Sequence, residues 1–400
     1  MSPSRRQQIS WLLLLLAGAP CFATGQGPVI RARETWQLAE QRSRATVLAY
    51  GDSVRYPRNT RKDGTWRTVA PHDWTSGFFP GILWMLYERT GDGFFAESAD
   101  RYTRGLEPVS WFAGTHDLGF MVYDSYGQGY RLRPNEEYRT VIVRAAGTLA
   151  SRFNPTVGCV KSWDNPKWEF PVIIDNMMNL EILFWAAEHG GGERLRTIAI
   201  RHAETTMQNH LRPDGSTYHV IGYDTTDGRV LARNTHQGFA DTSTWSRGQA
   251  WGIYGFTMTY RFTKDPRFLE TARRLADYFL ERLPEDRVPY WDFNAPGIPN
   301  EPRDASAAAI AAAGLIELSQ YVTGEGSARY IGAARAILAS LTHPPYLAEE
   351  SASMGILNHA VTSKPTEMEV DVDLIYGDYY LLEALKRLES LTPAPPVPRR

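Results

Sequence analysis

Helix-forming stretches of two kinds alternate along this chain, and that alternation constrains the fold more than any other feature. Six stretches open on a dense cluster of polar and aromatic residues. These openings are His72-Asp73-Trp74-Thr75-Ser76-Gly77, Thr115-His116-Asp117-Leu118-Gly119-Phe120, Ile174-Asp175-Asn176-Met177-Met178-Asn179, Asp241 to Trp251, Arg303-Asp304-Ala305-Ser306 and Asp371-Val372-Asp373-Leu374. A plainer helix lies between each and the next. In an alternating array every second helix points the same way, so the six marked N-termini converge on one end. An all-α toroid builds a pocket in this manner, which argues for an enzyme over a scaffold.

Periodicity and punctuation by Gly, Pro and Asp predict helices over 31–48, 75–90, 94–107, 117–127, 135–153, 175–189, 193–210, 245–262, 266–283, 304–320, 327–341 and 373–389. Several hairpins share one turn grammar: Arg89-Thr90-Gly91-Asp92, His189-Gly190-Gly191-Gly192, Thr263-Lys264-Asp265-Pro266 and Val322-Thr323-Gly324-Glu325. Each stops one helix and supplies a residue suited to begin the next. Stretches such as Ala305 to Leu318 are apolar or small on most faces, as a helix buried all round must be. Their partners, such as Asp265 to Glu281 and Arg194 to Asn209, carry a charged face. Inner and outer rings follow, giving an all-α (α/α)6 toroid, a six-hairpin barrel, as one domain over 26–390. An open solenoid is the alternative, but neither end carries an obvious polar capping repeat. The loops 53–73, 154–174, 211–244, 284–303 and 342–372 are long and rich in Pro, Gly, Trp and Tyr, as functional loops are. Asp214-Gly215-Ser216 and Asp227-Gly228 read as turns between short strands. The segment 391–400, Pro-rich, is expected to be disordered.

Charge is nearly balanced, with 43 Lys+Arg against 45 Asp+Glu, which argues against a nucleic-acid or polybasic membrane surface. Twelve Trp and 20 Tyr suit pyranose faces as readily as they suit a large helical core. Arg5 and Arg6, the apolar run Trp11 to Ala17 and the small-x-small triplet Cys21-Phe22-Ala23 read as a signal peptide over 1–25, with cleavage near Ala23 or Gly25. The run falls short of the roughly 20 apolar residues of a spanning helix. Pro20 before Cys21 disfavours a lipoprotein. After cleavage only Cys159 remains, so no intrachain disulfide can form. A lone thiol in an exported protein suits a periplasm, with secretion as the other reading.

Asp117 and Asp175 are the candidate catalytic carboxylates. Both open inner helices, where the dipole and free N–H groups surround them. Helix-opening Asp is usually only a cap. Here His116 and Gly119 flank Asp117, and an aromatic loop with Trp163, Trp168 and Phe170 precedes Asp175. Apolar packing would raise a carboxyl's pKa and keep it protonated as a general acid. Asp304 and Asp373, amid Ala, Val and Leu, read as caps. The densest segment runs from His236-Gln237-Gly238 to Arg247-Gly248-Gln249-Ala250-Trp251. Arg247 and Trp251, four apart, share a helix face and could offer a guanidinium fork beside an indole; an interhelical salt bridge with a core Trp is the plain alternative. His116, His219 and His236 could converge, yet no metal-ligand spacing, P-loop, dinucleotide fingerprint or nucleophile elbow is present. No cofactor and no metal is expected.

At these residues the chain resembles the unsaturated glucuronyl hydrolases, glycoside hydrolase family 88, over about residues 30–390. The resemblance rests on Trp74-Thr75-Ser76-Gly77-Phe78, His116 to Phe120, Asp175 to Asn179, His236-Gln237-Gly238 through Trp251, Arg303 to Ala307, Gly377-Asp378-Tyr379-Tyr380 and Leu382 to Leu385. The related unsaturated rhamnogalacturonyl hydrolases, family 105, share fold and chemistry, but the histidine-aspartate and arginine-tryptophan motifs look closer to family 88. The resemblance implies Asp175 as general acid/base and Asp117 as the second essential carboxylate. It implies substrate contact by Trp74, His116, His219, His236, Gln237, Arg247 and Trp251, with His219 resting only on Tyr218-His219-Val220 in a variable loop.

The implied substrate is a lyase-generated oligosaccharide with a 4,5-unsaturated uronic acid at its non-reducing end. Asp175 would protonate carbon 4 of the vinyl ether and activate water at carbon 5. The hemiketal then opens and the glycosidic bond falls apart. Retention or inversion has no meaning when the released sugar rearranges to a keto acid. Glycosaminoglycan, gellan, xanthan and ulvan fragments all fit. Ser363-Lys364 could meet a sulfate, although a solvated loop lysine is favoured. A periplasmic glycan-binding protein using the same aromatic cleft is the rival of a different class. No membrane span and no nucleic-acid partner are expected, and a monomer is favoured.

Overall fold

The computed structural model describes residues 29–391, so the expected signal segment 1–25 and residues 392–400 of the tail lie outside the described residues. Twelve helices follow in six hairpins: α1 (Ala32–Tyr50), α2 (Phe78–Thr90), α3 (Gly93–Arg104), α4 (Gln128–Leu132), α5 (Glu136–Ala150), α6 (Glu181–Ala186), α7 (Glu193–Asn209), α8 (Ser246–Thr263), α9 (Pro266–Glu281), α10 (Ala305–Leu318), α11 (Gly324–Leu341) and α12 (Ile375–Ser390). The even-numbered helices form the inner ring. Together with the stretches that lead into α4 and α6, each packs on the next, and α12 packs back on α2, which closes the ring and excludes the open solenoid. Every residue of α10 is buried, as its alanine run requires. On outer helix α9, Phe268, Ala272, Leu275 and Phe279 face inward while Arg267, Glu270, Arg273 and Arg274 stay exposed.

The turn grammar works as its chemistry requires. Gly91 takes the left-handed conformation that ends α2, and Asp92 accepts from the Phe94 N–H at 2.9 Å to start α3. Asp265 does the same for Arg267 at 2.9 Å, with Pro266 at the first helical position of α9. Asp304 caps α10 as expected, accepting from Ser306 and Ala307. Asp373 does not cap α12. Its carboxyl instead accepts from the Ser353 hydroxyl and holds the preceding loop, while Leu374 takes the cap position without a side-chain bond.

Two inner helices depart from regular α geometry at their site ends. A π-helical stretch, Gly119–Gly127, leads into α4, and a 3-10 stretch, Ile174–Leu180, leads into α6. Asp117 lies just before the first and Asp175 lies within the second. Such irregular turns are frequent at functional sites.

The site-end loops carry more strand than expected. They contain β1 (Tyr56–Thr60), β2 (Trp66–Val69), β3 (Phe153–Asn154), β4 (Cys159–Val160), β5 (Phe170–Ile173), β6 (Val220–Tyr223), β7 (Val230–Asn234), β8 (Ala360–Ser363) and β9 (Met368–Val372). All pair antiparallel, as β1-β2, β3-β4, β5-β6-β7 and β8-β9. Long loops folded back on the barrel mouth bury backbone groups, and short ladders satisfy them. The β6-β7 turn runs through Gly228 at φ 77, where the Asp-Gly pair foretold a turn.

Candidate active site

Seven of the nine residues singled out in the sequence line one pocket of about 400 Å³ at the site end: Trp74, His116, Asp117, Asp175, His236, Gln237 and Arg247. His219 and Trp251 lie directly behind its wall, 4% and 1% exposed. Helices from four hairpins and the β8-β9 hairpin contribute, so residues up to about 300 positions apart meet in one cavity.

Asp117 is held by donors. The Thr115 hydroxyl donates to its Oδ2 at 2.6 Å, and His116 Nε2 lies 3.2 Å from its Oδ1. The His116 tautomer follows from its other side. Asn179 Oδ1 accepts from the Phe120 N–H at 3.1 Å, so the Asn179 amide nitrogen is the donor that faces His116 Nδ1 at 3.5 Å. The ring proton therefore sits on Nε2 and points at Asp117. Burial pushes His116 down to about 3, so the ring is neutral at working pH. The same burial pushes Asp117 up to about 7; the Asp73 charge adds to the rise, while Thr115, Arg152 and Asn179 oppose it.

Asp175 is held more sparingly. Its Oδ2 is buried without a hydrogen-bond partner, and so is His219 Nε2, 3.7 Å away. His219 Nδ1 accepts the backbone N–H groups of His236 and Gln237, both at 3.2 Å. That fixes the proton on Nε2, facing Asp175, and the ring is stacked on Trp245 at 4.4 Å. Burial drives the His219 pKa well down, so this is a neutral N–H and not a countercharge. Asp175 is raised to about 7, by burial first and by the Asp117 charge after it; Arg247 and the Trp251 N–H work against the rise. The Trp251 N–H stands close enough to favour the ionised form but makes no hydrogen bond within normal range. Two interacting carboxyls raised to the same region share their protons as a pair. Within it the donors gathered on Asp117 favour its ionised form, and the bare Oδ2 leaves the proton on Asp175.

The Arg247–Trp251 pair is arranged differently from the open fork and platform considered above. Arg247 is 1% exposed. Its Nη1 donates to Asp304 Oδ2 at 2.9 Å and to the Val361 carbonyl, and its Nη2 to the Thr362 carbonyl at 2.7 Å. The guanidinium thus ties α8 to α10 and β8 while one edge borders the pocket. Trp251 is packed between Phe120 at 5.2 Å and Tyr380 at 5.4 Å, beneath the floor and not on it. The open indoles are Trp74, which rests on Tyr376 at 4.8 Å, and Trp163, beside His236 at 5.8 Å. Gln237 Nε2 donates to the Thr362 carbonyl at 2.8 Å, so the same carbonyl takes both Gln237 and Arg247.

Sequence reasoning left out Arg58, Thr366 and Met368 as lining residues, and named Ser363 only beside Lys364 as a sulfate contact. Trp163 had a signal, its place in the aromatic loop before Asp175; Arg58 sits in no motif, and only tertiary contacts bring it in. Lys364 pairs with Glu367 and does not border the pocket, whereas Ser363 does. Among the described residues no group of three or more His, Cys, Asp or Glu side chains is placed to hold a metal ion. No helix among them is long and apolar enough to cross a membrane.

No family model matches the sequence. The unsaturated glucuronyl hydrolase of Formosa agariphila is 47% identical over 329 residues, 81% of this chain and 82% of that protein. The enzyme of the same name from Bacillus sp. GL1 is 37% identical over 79% of this chain and 86% of its own length. Among solved structures, an unsaturated glucuronyl hydrolase specific for heparin superposes with a TM-score of 0.87 at 43% identity, covering 90% of this chain and 97% of that one. The crystal structure of the Bacillus sp. GL1 enzyme gives a TM-score of 0.84 at 35% identity, covering 88% and 97%. A six-hairpin toroid, a pair of proton-sharing carboxyls at its mouth and these likenesses lead to one conclusion: the chain belongs to the unsaturated glucuronyl hydrolases, which are glycoside hydrolases.

Proposed function

We propose that this enzyme removes a 4,5-unsaturated uronic acid from the non-reducing end of lyase-generated oligosaccharides by hydrating the ring double bond. The observation that carries the assignment of roles is the pair Asp117 and Asp175, both largely enclosed by protein and raised to about 7 in one pocket. Asp175 delivers its proton to carbon 4 of the vinyl ether, leaving positive charge shared between carbon 5 and the ring oxygen. The ionised Asp117 stands in the same low-dielectric pocket, where a fixed negative charge stabilises that cation. Asp175, now a carboxylate, accepts the proton of the water that adds at carbon 5. One water is consumed, the acid is regenerated, and the hemiketal opens to release the aglycone sugar. Trp74 and Trp163 offer apolar faces for the sugar rings.

The relatives act as the measure of substrate class. Their names cover unsaturated glucuronyl hydrolases and, in Streptococcus pyogenes at 34% identity, an unsaturated chondroitin disaccharide hydrolase, which favours the glucuronyl reading over the rhamnogalacturonyl one. The test is loss of unsaturated-uronate absorbance over a panel of lyase-generated disaccharides. Wild type should consume at least one of them, and Asp175→Asn should bind it without turnover. Activity of Asp175→Asn within several-fold of wild type removes Asp175 as the acid; binding without turnover by wild type across the panel supports the glycan-binding rival. The signal-like segment 1–25 supports action in the periplasm or outside the cell, which fractionation of the expressing cells checks.

A further inference from the structure

Arg58 lies in β1, is 7% exposed, and borders the pocket beside Trp74 and Asp117. Its guanidinium is divided between two carboxylates. Nη1 donates to Asp73 Oδ1 and Oδ2 at 3.0 and 2.8 Å; Nε and Nη2 form a fork with Glu369 Oε1 and Oε2 at 2.7 and 3.1 Å. Each carboxylate anchors a different wall. Asp73 Oδ1 also accepts the Thr75 N–H at 3.0 Å and the Thr75 hydroxyl at 2.7 Å, which shapes the turn that presents Trp74. Glu369, on β9 at φ 52, accepts from Arg67 at 2.9 Å and from the Thr362 hydroxyl at 2.7 Å. Thr362 is the residue whose carbonyl receives Gln237 and Arg247. One buried cation therefore connects the Trp74 turn to the hairpin that carries Ser363, Thr366 and Met368.

We propose that Arg58 is a positioning residue of the reaction: by holding Asp73 and Glu369 at once, it fixes the Trp74 turn against the β8-β9 hairpin and offsets the charge that Asp73 directs at Asp117. This rests on the reading of Asp117 and Asp175 as the reacting pair. A lysine could supply the charge but not the fork to Glu369 together with the contact to Asp73, because its ammonium is a point donor. The groups that act on Asp117 are Asp73 from the turn before α2, Arg152 from the end of α5, neutral His116, and Asp175 from the lead-in to α6. Asp73 is the one whose charge Arg58 neutralises directly.

Three variants separate geometry from charge. Arg58→Lys should raise KM on the order of tenfold while the acid limb of the pH–kcat profile, which the ionisation of Asp117 sets, stays in place. Arg58→Met should raise KM similarly and move that limb to higher pH, because Asp73 loses its countercharge while Glu369 keeps only Arg67. Asp73→Asn should move it to lower pH. Difference infrared titration of the Asp117 carboxyl should follow the same opposite directions whether or not a disaccharide is turned over. If wild type consumes no unsaturated disaccharide, the proposed reaction fails and the infrared titration decides the Arg58 proposal by itself. KM within twofold of wild type for Arg58→Lys overturns the proposal, as does movement of Arg58→Met and Asp73→Asn in the same direction. Should Arg58→Met not fold, the other two variants decide.

Discussion

Ionising Asp175 places a second charge beside Asp117 inside a cavity that water reaches poorly, and this has a thermodynamic consequence apart from catalysis. Its pKa is raised to about 7 in the folded chain. Between the ordinary carboxylate value and that midpoint the folded state binds more protons than the unfolded one, so stability falls as pH rises across this window. Replacing Asp175 by Asn removes the loss. Thermal melts should show Asp175→Asn above wild type at pH 8, by an amount bounded at roughly 4 kcal/mol, with the difference closing near pH 4. A difference that does not depend on pH would mean the carboxyl is not raised. His219 offers a second measurement at this scale. Its proton is placed on Nε2 by two backbone donors at Nδ1. His219→Gln keeps an N–H donor near that position and should retain more activity than His219→Phe, which keeps only the stacking on Trp245.

Among elements, the meeting of the two irregular lead-ins decides where the carboxyls stand. A Cβ on Gly119 would lie 2.7 Å from Asn179 Cα and 2.6 Å from its Oδ1, so the π-helical and 3-10 stretches approach with no room for a side chain. Gly119→Ala must push the Asp117 stretch off the Asp175 stretch. A loss of about 10²-fold in kcat is the expected cost of an ångström-scale displacement, with far-ultraviolet circular dichroism unchanged. Arg247 belongs to this scale as well, because its partners are Asp304, which caps α10, and the β8 carbonyls. Arg247→Lys should lower both Tm and kcat/KM, by roughly 3 kcal/mol and about tenfold or more. Loss of activity with Tm unchanged would instead mark a contact made to substrate alone.

For the whole molecule, the end of the barrel away from the pocket is closed by charge. Arg387 donates to Glu317 at 2.8 Å and Glu383 at 3.2 Å, and Arg261 to Glu181 at 2.6 Å. These side chains come from α6, α8, α10 and α12, and Glu181, Arg261, Glu383 and Arg387 border a second cavity of about 440 Å³. Removing one cation leaves buried carboxylates unpaired. Arg387→Met should cost roughly 3–5 kcal/mol in urea unfolding. Turnover at 25 °C should stay within about twofold of wild type, since the catalytic pocket occupies the opposite mouth. A variant as stable as wild type would show that the ion cluster contributes nothing to ring closure.

Helix periodicity, helix-stop residues and the alternation of apolar and one-faced helices are local properties, and they determined the twelve helices, the two rings and the end at which the site would lie. Asp117 and Asp175 were legible for the same reason, since each marks a helix opening that its neighbours distinguish from a plain cap. Asp373, which read as another cap, shows the limit: its role depends on Ser353, twenty residues away. Only tertiary packing decided that α12 closes on α2, that Trp251 lies under the floor while Trp74 and Trp163 face the cavity, and that Arg247 spends its fork on protein acceptors. Arg58 is the extreme case, joined to Glu369 across 311 positions. Periodicity tells which face of an element is buried. Which groups share that burial, and therefore which protons and charges they hold, follows only once the ring has closed.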